Sequence, residues 1–114
     1  MNIKEIAKKL NLKTISTPPI ESILNTDITT VYTGDLLSDV MGNAPEECIF
    51  VTIQAHKNTI AVATLKDCPA VIICNNRSIP DDMKEAAANE NIMLYVTEKN
   101  QYTISGQLYE LLDK

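Results

Sequence analysis

Two apolar segments, CIFVTI at residues 48–53 and AVIIC at residues 70–74, flank the stretch NTIAVATL at residues 58–65. Such runs of aliphatic and β-branched residues are typical of strands that are covered on both faces of a sheet. The stretch between them has the length and composition of a short helix. A strand, a helix and a second strand of this kind form a parallel βαβ unit. These residues therefore predict an α/β fold.

The segments on either side continue the alternation of helices and strands. Apolar residues at helical spacing predict a first helix over residues 3–10, with Asn2 as its N-cap and Asn11 just beyond its end. We expect Asp35 to cap a second helix and Pro80 to occupy the first position of a fourth. The other predicted elements are strands at residues 12–16, 28–33 and 93–96 and an irregular connection at residues 17–27. The residues expected to face inward are Leu36, Leu37, Val40 and Met41 in the second helix, Met83, Ala86 and Ala87 in the fourth, and Ile104, Leu108, Leu111 and Leu112 in the last. The pattern predicts a single-domain α/β sandwich over residues 1–114, with a mostly parallel sheet and helices on both faces.

The composition excludes several classes of protein. The chain has 114 residues, 45% of them hydrophobic, and a formal net charge of -5. An acidic chain lacks the clustered basic residues of a nucleic-acid-binding surface. Residues 6–16 are similar to the start of a helix-turn-helix, but Thr17, Pro18 and Pro19 interrupt the chain where the recognition helix would run. No apolar run approaches the length of a membrane span, and the N-terminus has no signal-peptide pattern. We therefore expect a cytoplasmic protein with neither a nucleic-acid nor a membrane partner.

Glycine and cysteine usage excludes further kinds of site. The three glycines, Gly34, Gly42 and Gly106, are too far apart for a P-loop or a dinucleotide-binding fingerprint. Gly106 falls inside the predicted last helix and weakens it by about 1 kcal/mol relative to alanine. The three cysteines are odd in number and form no C-x-x-C pair, so we expect buried thiols rather than a disulfide framework or a zinc site. Neither a metal nor a cofactor is predicted.

The strongest candidate for a binding site is the segment from Thr52 to Thr59, which leaves a buried strand and enters a helix. The N–H groups at the start of a helix attract anions, and α/β sheets commonly bind ligands at the carboxyl ends of their strands. The alternative is a solvated loop in which Asn58 simply caps the helix. The residues that would contact a ligand are Gln54, His56, Lys57, Asn58 and Thr59, with Lys57 paired to a phosphate.

A second group of polar residues follows Gly34. Asp35, with Ser38 and Asp39 nearby, would accept a hydrogen bond from a ribose hydroxyl or an amine, unless it only caps the following helix. His56 is the single histidine, and a catalytic role would require a nucleophile or one of these carboxylates beside it. We predict no catalytic residue.

The segment Asn75–Ser78 follows the strand at residues 70–74 and reaches the same edge of the predicted sheet. Arg77 within it is a candidate contact for an anion. A turn in left-handed geometry explains the two asparagines, Asn75 and Asn76, without any ligand.

The predicted third helix has almost no polar face, because Ile60, Ala61, Val62, Ala63 and Leu65 occupy five of its eight positions. A helix that is apolar all round is covered on more than one side. The cover is either a second copy of the chain, in an isologous homodimer, or other helices of the same chain.

Two longer strings carry a resemblance to a known family. TGDLLSDVM at residues 33–41 and VTIQAHKNTIAVA at residues 51–63 resemble the stand-alone DRTGG-domain proteins, and so does the closing GQLY at residues 106–109. The resemblance spans nearly the whole chain. The motif that names the family is not intact, because His56-Lys57 stands where a member has Asp-Arg, and Cys74-Asn75-Asn76 stands where it has Thr-Gly-Gly.

The resemblance implies a regulatory module rather than a catalyst. DRTGG domains accompany CBS domains that sense adenine nucleotides in some pyrophosphatases, the N-terminal domain of HPr kinase is similar in fold, and family members are expected to be homodimers. We therefore expect a non-catalytic regulatory protein that senses a nucleotide or another anion as a homodimer. The alternative is an accessory subunit that binds a protein partner and no small molecule. The candidate ligand-binding residues are Asp35, Ser38, Gln54, His56, Lys57, Asn58 and Thr59.

Overall fold

The structure, a computed structural model, describes residues 1–16, 18 and 20–112. Thr17 and Pro19, which belong to the predicted irregular connection, lie outside the described residues, as do Asp113 and Lys114. The strands of the described part are β1 (Lys13–Ser16), β2 (Val31–Thr33), β3 (Ile49–Thr52), β4 (Ala70–Ile73) and β5 (Met93–Val96). Its helices are α1 (Ile3–Lys9), α2 (Leu37–Asn43), α3 (Lys57–Leu65), α4 (Asp81–Asn89) and α5 (Gln101–Leu112), and a short 3-10 helix spans Glu21–Asn25. None of these helices is long and apolar enough to cross a membrane.

Within the described ranges the five strands form one mixed sheet in the order β1-β5-β4-β3-β2. The strands from β2 to β5 are parallel neighbours, whereas β1 pairs with β5 in the antiparallel sense. Each step from β2 to β5 moves one strand along the sheet in the same direction, so right-handed crossovers place α2, α3 and α4 on one face. α1 and α5 cover the other face. The predicted α/β sandwich with a mostly parallel sheet is confirmed.

A separate apolar core lies on each face of the sheet. Phe50 of β3 and Ile60 of α3 belong to the first core. Val51 of β3 belongs to the second core, together with Ile6 of α1 and Ile104 of α5. Successive side chains of a strand point to opposite faces, so β3 contributes to both cores and its first three residues are all apolar.

The first helix begins and ends as predicted. The Asn2 side chain accepts a hydrogen bond from the Glu5 N–H at 2.8 Å, and the Glu5 carboxylate accepts one from the Asn2 N–H at 3.0 Å. These two bonds form a capping box. Asn11, just beyond the helix, has a φ of 54°, the left-handed geometry that commonly ends a helix.

Two predicted boundaries are wrong. The strand expected over residues 28–33 is confined to β2, because the Ile28 N–H donates to the Met1 carbonyl at 2.9 Å and not to a neighbouring strand. Pro80 is the N-cap of α4 and not its first helical residue, since its ψ of 149° is extended. The irregular connection also contains the 3-10 helix described above.

The second helix buries a smaller face than predicted. Of the four residues expected to face inward, Val40 is fully buried, whereas Leu36 is 68% exposed and Met41 is 47% exposed. α2 has only seven residues and lies over the end of the sheet that β2 forms. Its contact with the core is therefore limited to one narrow stripe, formed by Leu37, Val40 and the C-cap residue Ala44.

Replacing Gly106 by alanine should stabilise the protein. Gly106 lies within α5 and is exposed, and a Cβ atom at this position would have no atom of the described residues within 4 Å apart from the adjoining residues and backbone of the same helix. Alanine should raise the free energy of unfolding by about 1 kcal/mol, because glycine loses more backbone entropy in a helix. Thermal unfolding should show a rise in Tm of about 4 °C. An unchanged or lowered Tm would show that this position makes contacts that the monomer lacks.

Cys74 should make the protein sensitive to alkaline pH. The side chain is fully buried, and burial raises the pKa of its thiol to about 11, with a smaller contribution from the charge of Asp35. The unfolded chain releases this proton near the ordinary value of 9.0, so the free energy of unfolding should fall as the pH rises from about 9 to about 11. Urea unfolding at about pH 8 and about pH 10.5 should show a smaller fall for Cys74→Ala than for the wild type. Equal falls in the two proteins would contradict this assignment.

Candidate functional site

The carboxyl ends of β2 to β5 meet at one edge of the sheet, because these strands are parallel. The connections after β2, β3 and β4 lead to helices on one face, whereas the connection after β5 leads to α5 on the opposite face. Helices from both faces therefore begin at this edge, as they do where α/β sheets bind ligands. We call it the carboxyl edge, and it consists of residues 34–36, 53–56, 74–80 and 97–100.

The Asp35 carboxylate joins three segments of the carboxyl edge. Its Oδ1 atom accepts hydrogen bonds from Thr52 Oγ1 at 2.9 Å, from the Ile53 N–H at 3.0 Å and from Gln101 Nε2 at 2.9 Å. The Asp35 backbone carbonyl accepts a further bond from Gln54 Nε2 at 2.9 Å. Asp35 thus holds together the loop after β2, the end of β3 and the first residue of α5.

The prediction that Asp35 caps α2 is wrong. The N-cap is Leu36, whose apolar side chain makes no capping hydrogen bond. The carboxylate turns toward β3 instead, where it supplies the acceptor that the fully buried Thr52 hydroxyl requires. Gln101 escapes prediction from the sequence, because it lies 66 residues from Asp35 and only the path of α5 across the second face brings the two together.

The start of α3 is capped by His56 and not, as predicted, by Asn58. His56 Nδ1 accepts from the Asn58 N–H at 3.0 Å, and the His56 carbonyl accepts from the Thr59 N–H at 2.9 Å. Because Nδ1 accepts, the neutral ring carries its hydrogen on Nε2. The Thr59 side chain is fully buried, and its hydroxyl donates to the Gln54 carbonyl at 2.7 Å. Two of the N–H groups at this helix terminus therefore already donate to acceptors within the protein.

The other predicted site residues are exposed. Gln54, His56, Lys57 and Asn58 surround the start of α3. Lys57 and Asn58 also line one end of a groove of about 550 Å³ between α3 and α4. Ser38 is exposed in the first turn of α2. The structure thus places all the predicted site residues either at the carboxyl edge or in the first turn of a helix that begins there.

Asp39 makes its hydrogen bonds to its own part of the chain. It accepts from the Tyr32 hydroxyl at 2.6 Å and from Asn43 Nδ2 at 2.8 Å. The Tyr32 hydrogen bond, with that of Asn43, lowers the pKa of the Asp39 carboxyl group. These partners belong to β2 and α2. The Asp39 carboxylate therefore bonds to its own part of the chain and does not orient His56.

The segment after β4 forms the predicted left-handed turn. Asn75 and Asn76 have φ values of 66° and 52°. Their N–H groups donate to the carbonyls of Lys99 at 3.0 Å and Thr97 at 2.8 Å, which ties this loop to the one after β5. Arg77 follows on the exposed side of the turn.

The carboxyl edge presents hydrogen-bond donors and positive charge. Lys57, Arg77 and Lys99 are exposed side chains in or next to three successive loops. No three His, Cys, Asp or Glu side chains of the described residues are arranged to hold a metal ion. Asp35 Oδ1 already accepts three hydrogen bonds. The arrangement is suited to holding an anion rather than to activating a nucleophile.

Comparison with known proteins bears on the fold. No protein-family model and no curated protein sequence matches the chain. Among solved structures it is similar to the CBS and DRTGG domains of the regulatory region of Clostridium perfringens pyrophosphatase, crystallised with the activator diadenosine tetraphosphate. The TM-score is 0.73 at 13% sequence identity, over 92% of this chain and 44% of the other, so the chain spans less than half of that structure. The chain therefore has a DRTGG-like fold.

Proposed function

We propose that the protein is a non-catalytic regulatory module, a single DRTGG-like domain over residues 1–114, that senses an adenine nucleotide or another anion. The observation that carries this proposal is the shared fold. The region of similar fold in the Clostridium perfringens pyrophosphatase is regulatory, and its crystal structure contains a nucleotide activator. The chemistry of the carboxyl edge in this chain supports the same kind of ligand.

The ligand would bind around the start of α3. Lys57 supplies a positive charge for a phosphate, and the His56 ring, whose Nδ1 accepts from Asn58, supplies a donor at Nε2. Arg77 and Lys99 add charge from the two neighbouring loops. Buried Thr59 would act by fixing the Gln54 carbonyl. The proposed contact and positioning residues are Asp35, Ser38, Gln54, His56, Lys57, Asn58 and Thr59.

A thermal-shift experiment tests the ligand class. Diadenosine tetraphosphate, ATP and inorganic phosphate would each be added to the full chain. A ligand at about 100 times its Kd adds about 2.7 kcal/mol, which should raise the Tm by about 10 °C. A saturable rise with a nucleotide, reduced in Lys57→Ala, is the expected result. No rise with any of the three would contradict nucleotide and phosphate sensing.

We further propose that the protein acts as a homodimer in which α3 contributes to the interface. Ile60, Val62 and Ala63 are buried in the monomer, but Ala61 is exposed and Leu65 is 65% exposed. The proposed ligand site is at the start of α3, and these exposed side chains lie along the same helix. A ligand that favours one position of α3 would therefore change the contacts that the helix makes at the interface. Such a ligand shifts the equilibrium between two positions of α3 only to the extent that it binds one of them more tightly than the other.

Light scattering coupled to size exclusion tests this interface. Leu65→Lys should convert a dimer to a monomer, because a charge buried at a dimer contact lacks a partner. Tyr109→Lys is the matched control, since Tyr109 is 69% exposed on α5, which packs against the opposite face of the sheet. A monomeric wild type, or a dimer that only Tyr109→Lys disrupts, would contradict an α3 interface.

A second candidate function is that of an accessory subunit that binds another protein. The apolar groove between α3 and α4, lined by Ile60, Ala61, Leu65 and Ala86, favours it. A groove of this kind accepts apolar side chains of a partner. This function would replace the first if the thermal-shift experiment gave no response and the wild-type chain were a monomer.

A further inference from the structure

Two cysteines that are distant in the sequence lie in contact. Cys48 directly precedes β3 and Cys68 follows α3, and their Sγ atoms are 3.5 Å apart. Both side chains are buried, with exposed fractions of 0% and 2%. The sulfur atoms of a disulfide are about 2.05 Å apart, so closing the pair needs a movement of only about 1.5 Å.

The backbone holds the two cysteines side by side. The Glu47 N–H donates to the Lys66 carbonyl at 2.9 Å, which joins the two segments one or two residues before the cysteines. Glu47 and Asp67 both have left-handed φ values, 64° and 54°, so each cysteine follows a tight turn and not the middle of a helix or strand. Turns of this kind tolerate a small movement better than a packed element does.

The surroundings of the pair favour thiol chemistry. The hydrogen bond between the two sulfur atoms lowers the pKa of the Cys48 thiol and raises that of the Cys68 thiol. Cys68 also lines a cavity of about 300 Å³ together with Thr64, Asp67 and Asn91. A molecule of the size of hydrogen peroxide fits in this cavity, next to Cys68, and the Cys48 sulfur lies 3.5 Å beyond the Cys68 sulfur.

We propose that Cys48 and Cys68 are a modification site that forms a reversible intramolecular disulfide, with a peroxide as the oxidant. One sulfur of the pair attacks one oxygen of the peroxide, the O–O bond breaks, and that cysteine becomes a sulfenic acid as the leaving hydroxide takes up its thiol proton to form water. The other sulfur then attacks the sulfur of the sulfenic acid, the S–O bond breaks, and the oxygen leaves as water with the proton of the second thiol. Two thiols and one hydrogen peroxide give one disulfide and two waters. This proposal does not depend on the proposed ligand.

Mass spectrometry of the full-length Cys74→Ala variant tests the proposal without interference from the third thiol. The folded variant would be treated with hydrogen peroxide, and its remaining thiols would then be alkylated in denaturant. We expect the loss of both alkylatable thiols and a mass about 2 Da lower, both reversed by a reductant. Trypsin should yield the peptides 14–57 and 67–77 joined to one another.

The matched control is Cys48→Ala, which retains Cys68 and Cys74. Cys74 belongs to the core on the opposite face of the sheet from Cys68, so this variant should form no intramolecular disulfide. Two alkylatable thiols in peroxide-treated Cys74→Ala, sulfinic acids in place of the disulfide, or a disulfide only between chains would each overturn the proposal.

Discussion

Replacing Asp35 by alanine should lower the free energy of unfolding by about 3 kcal/mol. The substitution removes the acceptor of three hydrogen bonds, at 2.9 Å, 3.0 Å and 2.9 Å. The donor at Thr52 is fully buried and has no access to water in its place. The Gln101 bond is lost as well, so the start of α5 is no longer tied to the loop after β2. Urea denaturation of the wild type and the variant measures this difference.

Asp39→Ala is the matched control for this prediction. Asp39 also accepts two side-chain hydrogen bonds, from Tyr32 and Asn43, but it is exposed. Exposed polar contacts contribute little because water replaces them, so the loss should be much smaller than that of Asp35→Ala. Asp35→Asn should give an intermediate loss, since its amide oxygen still accepts. Similar losses for Asp35→Ala and Asp39→Ala would contradict the role of Asp35 in holding the carboxyl edge together.

Replacing Lys57 by glutamate should weaken the binding of diadenosine tetraphosphate by at least about tenfold. The change reverses a charge that we place next to a phosphate, and Lys57 is exposed, so the fold should be unaffected. Calorimetric titration at fixed salt measures the Kd, and the Tm without ligand checks the fold.

Lys4→Glu is the control for general electrostatic attraction. Lys4 is exposed in the first turn of α1, and its substitution changes the net charge by the same amount. If the ligand were held by long-range electrostatic attraction alone, both substitutions would weaken its binding equally. Equal Kd values for Lys57→Glu and Lys4→Glu would place the ligand away from α3.

Much of the fold follows from patterns that are local in the sequence. The bounds of β5, Met93–Val96, agree with the prediction, as do the cap of α1 at Asn2 and the left-handed Asn11. Each depends on neighbouring residues: an apolar run between turns, a side chain three residues from the N–H it binds, or a residue that tolerates positive φ.

The site itself depends on contacts between distant segments, and these are not visible in a local pattern. The bond between Asp35 and Gln101 requires α5 to cross the face opposite α3, and the contact of Cys48 with Cys68 requires β3 and β4 to be neighbours in register. His56 and not Asn58 caps α3 because the helix already begins at Lys57, so His56 occupies the N-cap position and its Nδ1 accepts from the Asn58 N–H. Three loops of the carboxyl edge, at residues 34–36, 53–56 and 74–80, contain residues that the sequence singles out, whereas the loop at residues 97–100 and the hydrogen bonds among the loops were not predicted.

The most direct measurement of the central claim is a titration of isotope-labelled protein with diadenosine tetraphosphate, followed by the NMR shifts of its backbone amides. If the carboxyl edge binds the nucleotide, the largest shifts should fall on residues 53–59, with smaller ones on 75–77 and 97–101. They should disappear in Lys57→Glu and remain in Lys4→Glu. An unchanged spectrum, or shifts confined to the exposed face of α5 or to the groove between α3 and α4, would contradict nucleotide sensing at this edge.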